Sequence, residues 1–177
     1  MLLGQKFIDK QIISLDEGRI VGTVKDFYVN RELTHVFGLY LGSEGLLKRK
    51  PKVIKHEAIR KYGVDVLFVE TSGIVLEDKA LNDIEDLNLW LRRDDLQGRE
   101  IQASTEAETE VGQVDDIFFD EQGKIVGFGL KKIKIEGPIA ENLAIRREVV
   151  TEPGGDKEPM KIDVIKAEQQ RWFFEGR

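Results

Sequence analysis

Two stretches of the chain repeat each other, and this duplication limits what it can fold into. Gly22-Thr23-Val24-Lys25-Asp26-Phe27-Tyr28-Val29-Asn30 runs in register with Gly112-Gln113-Val114-Asp115-Asp116-Ile117-Phe118-Phe119-Asp120. The Gly, the Val and the pair Asp26 and Asp116 keep their places. Each copy then reaches an apolar segment around a glycine, Val36-Phe37-Gly38-Leu39-Tyr40-Leu41 and Ile125-Val126-Gly127-Phe128-Gly129-Leu130. Leu2-Leu3-Gly4 and Leu96-Gln97-Gly98 introduce the copies. A duplication at half of a 177-residue chain predicts two similar modules, 1–80 and 95–177, joined by a linker at 81–94. Function is then to be sought in one module type used twice.

The copies read as strands. Ile20 to Val24 with Phe27 to Val29, and Val111 to Val114 with Ile117 to Phe119, are short β-branched and aromatic runs. Asp16-Glu17-Gly18 and Asp120-Glu121-Gln122-Gly123 carry turn chemistry between such runs. Val64 to Val69 predicts a further strand, preceded by a helical or turn segment at His56 to Gly63. Lys131 to Ile135 alternates like a strand, Leu143 to Val150 is another apolar run, and Ile162 to Glu168 fits strand or helix. The expected class is all-β, two tandem small antiparallel β-barrels, because closure satisfies edges that a small open sheet would leave unpaired. The segment around Asn82 to Leu89 is acidic, with Ile84 and Leu87 three apart and no Gly- or Pro-rich tract. It predicts a docked connector and a fixed relation between the halves.

Composition narrows the chemistry. With 41% hydrophobic and 34% charged residues the chain has a globular makeup and a charged surface. There are no cysteines, and the two histidines, His35 and His56, stand in no ligand spacing, so neither a cofactor nor a metal is expected. No apolar run approaches the ~20 residues of a membrane helix, and the start lacks a secretion pattern, which predicts a cytoplasmic protein without a transmembrane segment. The net charge of -6 lies almost wholly in the second half and argues against a broad basic face for nucleic acid.

Leu-x-Gly, then Gly-x-Val-x-Asp followed by three apolar residues and Asp or Asn, then a Gly-centred apolar segment, resembles in two ordered copies the PRC-barrel family. That family takes its name from the cytoplasmic domain of the photosynthetic reaction centre H subunit and includes the C-terminal domain of the RimM ribosome-maturation factors. The resemblance implies small β-barrels that serve as binding or assembly modules and implies no catalytic residue. Neither specialised role carries over, since this chain shows neither the domain that precedes the barrel in maturation factors nor a membrane helix.

Candidate sites divide into framework and surface. Gly22, Gly38, Gly112 and Gly127 read as points of close strand approach, and Asp26 and Asp116 as acids bonded to a turn backbone or an Arg. Lys48, Arg49, Lys50, Lys52 and Lys55 form the one concentrated basic stretch, open to RNA phosphate, anionic lipid, an acidic protein face or another copy of the chain. Trp172, Phe173 and Phe174 form an aromatic cluster for packing or docking. No nucleotide-binding loop, nucleophile elbow or zinc-protease motif occurs, so no catalytic residue is assigned. The sequence reading is a non-enzymatic scaffold for protein partners, with RNA or ribosome association and a small-ligand or catalytic site between the barrels as alternatives.

Overall fold

The computed structural model describes residues 1–44 and 50–170. Lys48 and Arg49 of the basic stretch, and Trp172, Phe173 and Phe174, lie outside the described residues. Strand makes up 44% of the structure, and the class is mostly β. The first half holds β1 (Leu2–Leu3), β2 (Gln11–Ser14), β3 (Ile20–Thr23), β4 (Asp26–Val29), β5 (Val36–Glu44), β6 (Lys50–Lys55), β7 (Ile59–Tyr62) and β8 (Val66–Val69). Then come β9 (Leu91–Arg92), α1 (Arg93–Leu96), β10 (Glu100–Ala103), β11 (Glu110–Phe119), β12 (Ile125–Lys131), α2 (Pro138–Asn142), β13 (Ala144–Arg146), β14 (Val150–Glu152), β15 (Met160–Ile162) and α3 (Val164–Gln169).

The two halves use the same ladder. In the first, β3-β2-β8-β7 and β6-β5-β4-β9 are separate sheets; in the second, β13-β12-β11-β10-β15-β14 is continuous, with β1 added on β11. None of the three sheets closes into a barrel among the described residues. The difference lies in one strand: β11 runs unbroken where β3 and β4 are separate, and it absorbs a register shift between Val114 and Asp116. Ile12 opposite Gly22 matches Ile101 opposite Gly112, and Tyr28 opposite Gly38 matches Phe118 opposite Gly127. Both halves also pair a late strand parallel to an early one, β8 to β2 and β15 to β10.

Turn chemistry repeats as well. Asn30 Oδ1 accepts from the backbone N–H of Thr34 and of His35, both at 2.8 Å, and Leu33 takes a left-handed φ of 53°. Asp120 Oδ1 accepts from the N–H of Gln122 at 3.0 Å and Lys124 at 2.9 Å, with Gly123 at φ 80°. A short side-chain acceptor at the head of each hairpin replaces the backbone partners that the tight turn removes.

The halves exchange their leading strands. β1 pairs with β11, Leu2 opposite Phe119 and Leu3 opposite Phe118. β9 pairs with β4, Leu91 opposite Val29 and Arg92 opposite Tyr28. The segment equivalent to Leu2-Leu3-Gly4 is therefore Leu91-Arg92-Arg93, in place of the expected Leu96-Gln97-Gly98; Gly98, with φ 84°, instead answers to Asp9 at φ 66°. Repeat-equivalent residues His35 and Lys124 meet in a bridge across the approximate two-fold axis so defined.

One core cluster contains Phe7, Phe27, Val29 and Leu33 together with Ile117, Phe119, Ile125 and Phe128. Phe27 and Phe119 lie 5.2 Å apart, and Phe7 contacts both at 6.4 Å. The two halves thus bury their apolar faces against each other as well as internally.

Several local expectations are revised. His56–Ala58 is a 3-10 turn, but Ile59–Tyr62 that follows is strand, and Lys132 leaves the expected strand with a left-handed φ of 50°. The apolar run at 143–150 is two short strands around a 3-10 turn, and 162–168 is the end of β15 followed by α3. Three of the repeat glycines stand at close approaches: a Cβ would lie 2.6 Å from the Ile54 carbonyl oxygen on Gly38, 2.7 Å from Leu41 Cδ2 on Gly22 and 3.0 Å from the Lys131 carbonyl oxygen on Gly112. Backbone cannot retreat as a side chain can, so Gly38→Ala is expected to destabilise by about 1–3 kcal/mol and Gly22→Ala by less, compared by urea unfolding.

Candidate binding grooves and the buried charge centre

Arg93 opens α1 and is only 4% exposed. Its Nε lies 3.6 Å from Asp26 Oδ1, its Nη1 3.5 Å from Asp116 Oδ1, and its Nη2 donates to Gln5 Oε1 at 2.9 Å. One guanidinium thus stands between the two repeat-equivalent acids. Each acid also accepts from the leading segment of the other half: Asp26 from Asp94 N–H at 3.1 Å, and Asp116 from Gln5 N–H at 2.9 Å. Position 4, equivalent to Arg93, is glycine, and a Cβ there would lie 2.8 Å from Arg93 Cδ and 2.9 Å from Asp116 Oδ1. The axis has room for a single large side chain.

Burial pushes both carboxyl groups above the usual carboxylate range, and the backbone donors and Arg93 offset this only in part. The recurring acids are therefore enclosed framework groups, held between two protein halves. Among the described residues, no group of three or more His, Asp or Glu converges as a metal site.

The repeat also builds one kind of groove twice. The first, of about 460 Å³, is walled by His35-Val36-Phe37, by Lys55-His56-Glu57 and by Ile84, Glu85, Asp86 and Trp90, with Gln122 at its end. The Phe37 and Trp90 rings are 5.1 Å apart. The second, of about 550 Å³, is lined by Lys124-Ile125-Val126, Arg146-Arg147-Glu148 and Met1. These are repeat equivalents: Lys124 for His35, Val126 for Phe37, Arg146 for Lys55, Arg147 for His56, and Met1 for Trp90.

The equivalent central residues clamp opposite hairpins. Arg147 donates from Nε to the Leu33 carbonyl and from Nη2 to the Glu32 carbonyl, each at 2.7 Å. His56 lies against Gly123, where a Cβ would be 3.0 Å from its ring, and its Nε2 has no hydrogen-bond partner. Burial lowers the His56 pKa, so its ring is neutral at physiological pH.

The basic stretch, where described, is strand β6 and is occupied by the chain's own acids. Lys50 pairs with Asp78 at 3.0 Å, and Lys52 with Glu44 at 3.0 Å and Glu77 at 3.5 Å. Lys55 lines the first groove. The structure brings Asp26 and Asp116 together at Arg93, while Gly127 sits between Phe118 and Arg146 as Gly38 sits between Tyr28 and Lys55. Arg93, Gln5 and the grooves carry no motif of their own. The signal that finds them is the alignment of Leu91-Arg92-Arg93-Asp94 with Leu2-Leu3-Gly4-Gln5.

No family model matches this chain, and no curated protein matches it significantly. Among the described residues, no helix is long and apolar enough to cross a membrane.

Proposed function

We propose that the chain is a tandem PRC-barrel-type module that acts in the cytoplasm, without catalysis, as an adaptor for protein partners. The observation that supports this reading most is that the motif acids are enclosed at Arg93, whereas the repeat presents two equivalent open grooves at the surface. Concave sites with an apolar floor and a few polar rim groups suit recognition. The first groove offers an aromatic pair, Phe37 at 38% exposure beside Trp90, of the kind that anchors protein interfaces.

The test is affinity capture from a lysate of the source organism with wild type, Phe37→Asp and a Lys48→Glu/Arg49→Glu/Lys50→Glu variant, at low and moderate salt. The expected result is a protein partner that survives moderate salt, is retained by the lysine and arginine variant and is lost with Phe37→Asp. Recovery of ribosomal RNA at low salt only, abolished by the triple variant, would replace this reading with a ribosome-assembly role.

A further inference from the structure

His56 and Arg147 hold equivalent positions but meet the opposite hairpin differently. The turn from Asn30 to His35 is one residue longer than that from Asp120 to Lys124, and its Glu32 and Leu33 carbonyls each accept from Arg147 at 2.7 Å. A guanidinium keeps its charge across the physiological range, so this clamp is indifferent to pH. The shorter turn offers His56 the backbone of Gly123: a Cβ there would lie 3.0 Å from Nε2, from Cε1 and from the Val36 carbonyl oxygen. The ring thus packs at the seam where Val36 N–H donates to the Gly123 carbonyl at 2.7 Å and Ile125 N–H to the Thr34 carbonyl at 2.8 Å, the two bonds of the His35–Lys124 bridge.

The surroundings of the His56 ring suit its neutral form. The Tyr62 ring stands 6.0 Å away, its phenol kept neutral by burial, and is itself packed on Phe7 and Phe119. The enclosed Nε2 finds no hydrogen-bond partner among the described residues, and an unmatched imidazolium N–H costs more there than an unmatched ring nitrogen. His35 opposes a positive charge on the ring and Asp120 favours one, but the Asp120 carboxylate already accepts from the N–H groups of Gln122 and Lys124. Lys55 and Glu57 flank His56 with opposite charges, and Glu85 and Asp86 line the same groove. Burial outweighs the Asp120 attraction and lowers the His56 pKa. The contribution of this contact to stability is therefore complete above the ordinary histidine value of about 6.5 and is lost progressively as pH falls from there through the folded value.

We propose that His56 makes the seam between the first groove and the second half acid-sensitive: the neutral ring holds the His35–Lys124 bridge closed, and proton uptake from solvent releases it while Arg147 keeps its own hairpin. Val36 belongs both to the bridge and to the groove wall, so release loosens the wall from His35 to Phe37. The device is a property of the free chain and needs no partner.

Native-state amide exchange and histidine ring titration by NMR, on the full chain between about pH 7.5 and 5, read the device directly. The His56 ring is expected to titrate below the ordinary histidine value. Through that window the exchange of the Val36 and Ile125 N–H groups, corrected for its intrinsic pH dependence, is expected to quicken by up to about tenfold per pH unit, the slope of one proton. His56→Gln is expected to remove this acid response and His35→Gln to keep it. Protection at Val36 and Ile125 that stays flat while His56 charges would overturn the proposal. So would protection that grows, since the imidazolium would then clamp its hairpin as Arg147 does. A response that persists in His56→Gln, or vanishes instead in His35→Gln, would assign the proton to another group and overturn it as well. The wild-type titration and exchange decide the sign without either variant, so a poorly folding His56→Gln leaves the test intact.

Discussion

Arg93→Met is expected to destabilise the protein by about 3–5 kcal/mol at neutral pH, because it leaves Asp26 and Asp116 buried without their shared cation. For a chain of this size that corresponds to a drop of about 10 °C in Tm. The deficit carries a pH signature. Burial already holds both carboxyl pKa values above normal, and without the guanidinium they rise further. Between the unfolded and folded pKa values the native state then binds more protons than the unfolded chain, so stability increases as pH falls through the folded values. Arg93→Met is accordingly expected to recover much of its loss at mildly acidic pH. Adding Asp26→Asn and Asp116→Asn should recover part of it at neutral pH, since the amide removes the charge but its single oxygen keeps only one of the two backbone donors that Asp26 accepts, Phe27 N–H and Asp94 N–H. Urea unfolding across pH reads both effects; a deficit independent of pH would exclude the buried-charge explanation.

Separating the halves is expected to cost the whole of the fold. A fragment of residues 1–89 retains β1 and the Gly4–Phe7 turn, whose partner β11 is gone, and loses β9 and α1, which complete β4 and cover Asp26. It also exposes Phe7, Phe27 and Val29 of a core that is continuous with Ile117 and Phe119. Small domains are marginal even when complete. Neither 1–89 nor 90–177 is expected to unfold cooperatively alone, whereas the two mixed should form a one-to-one complex with the circular dichroism of the intact chain. A half that unfolds cooperatively by itself would show that the exchanged strands are decoration on self-sufficient modules.

The strands and their repeat were legible because period-two apolar runs and Asn or Asp turn heads are local signals, as at Tyr28 and Phe118 or Asn30 and Asp120. The exchange was not, because pairing of Leu2 with Phe119 and Leu91 with Val29 is decided by a shared core that no local window contains. Asp26 and Asp116 were recognisable as framework acids with an Arg partner, but Arg93 stood within an expected linker. Its repeat equivalent is Gly4, so the very pair that meets at the axis looks unrelated. The ion pairs of Lys50 and Lys52 with residues 77–78 were hidden for the same reason: in sequence the basic stretch has no acid inside it, and in space it does.

The proposed mode of action is presentation of the repeat-built grooves to a protein partner. The most direct measurement is hydrogen–deuterium exchange on the full chain, free and bound to the partner captured at moderate salt. Protection is expected at 35–37, 55–57 and 84–90, or at their equivalents 124–126 and 146–148, with the rest of both sheets unchanged. Protection confined to the β3 or β7 edges, with both grooves exchanging as in the free chain, would contradict it.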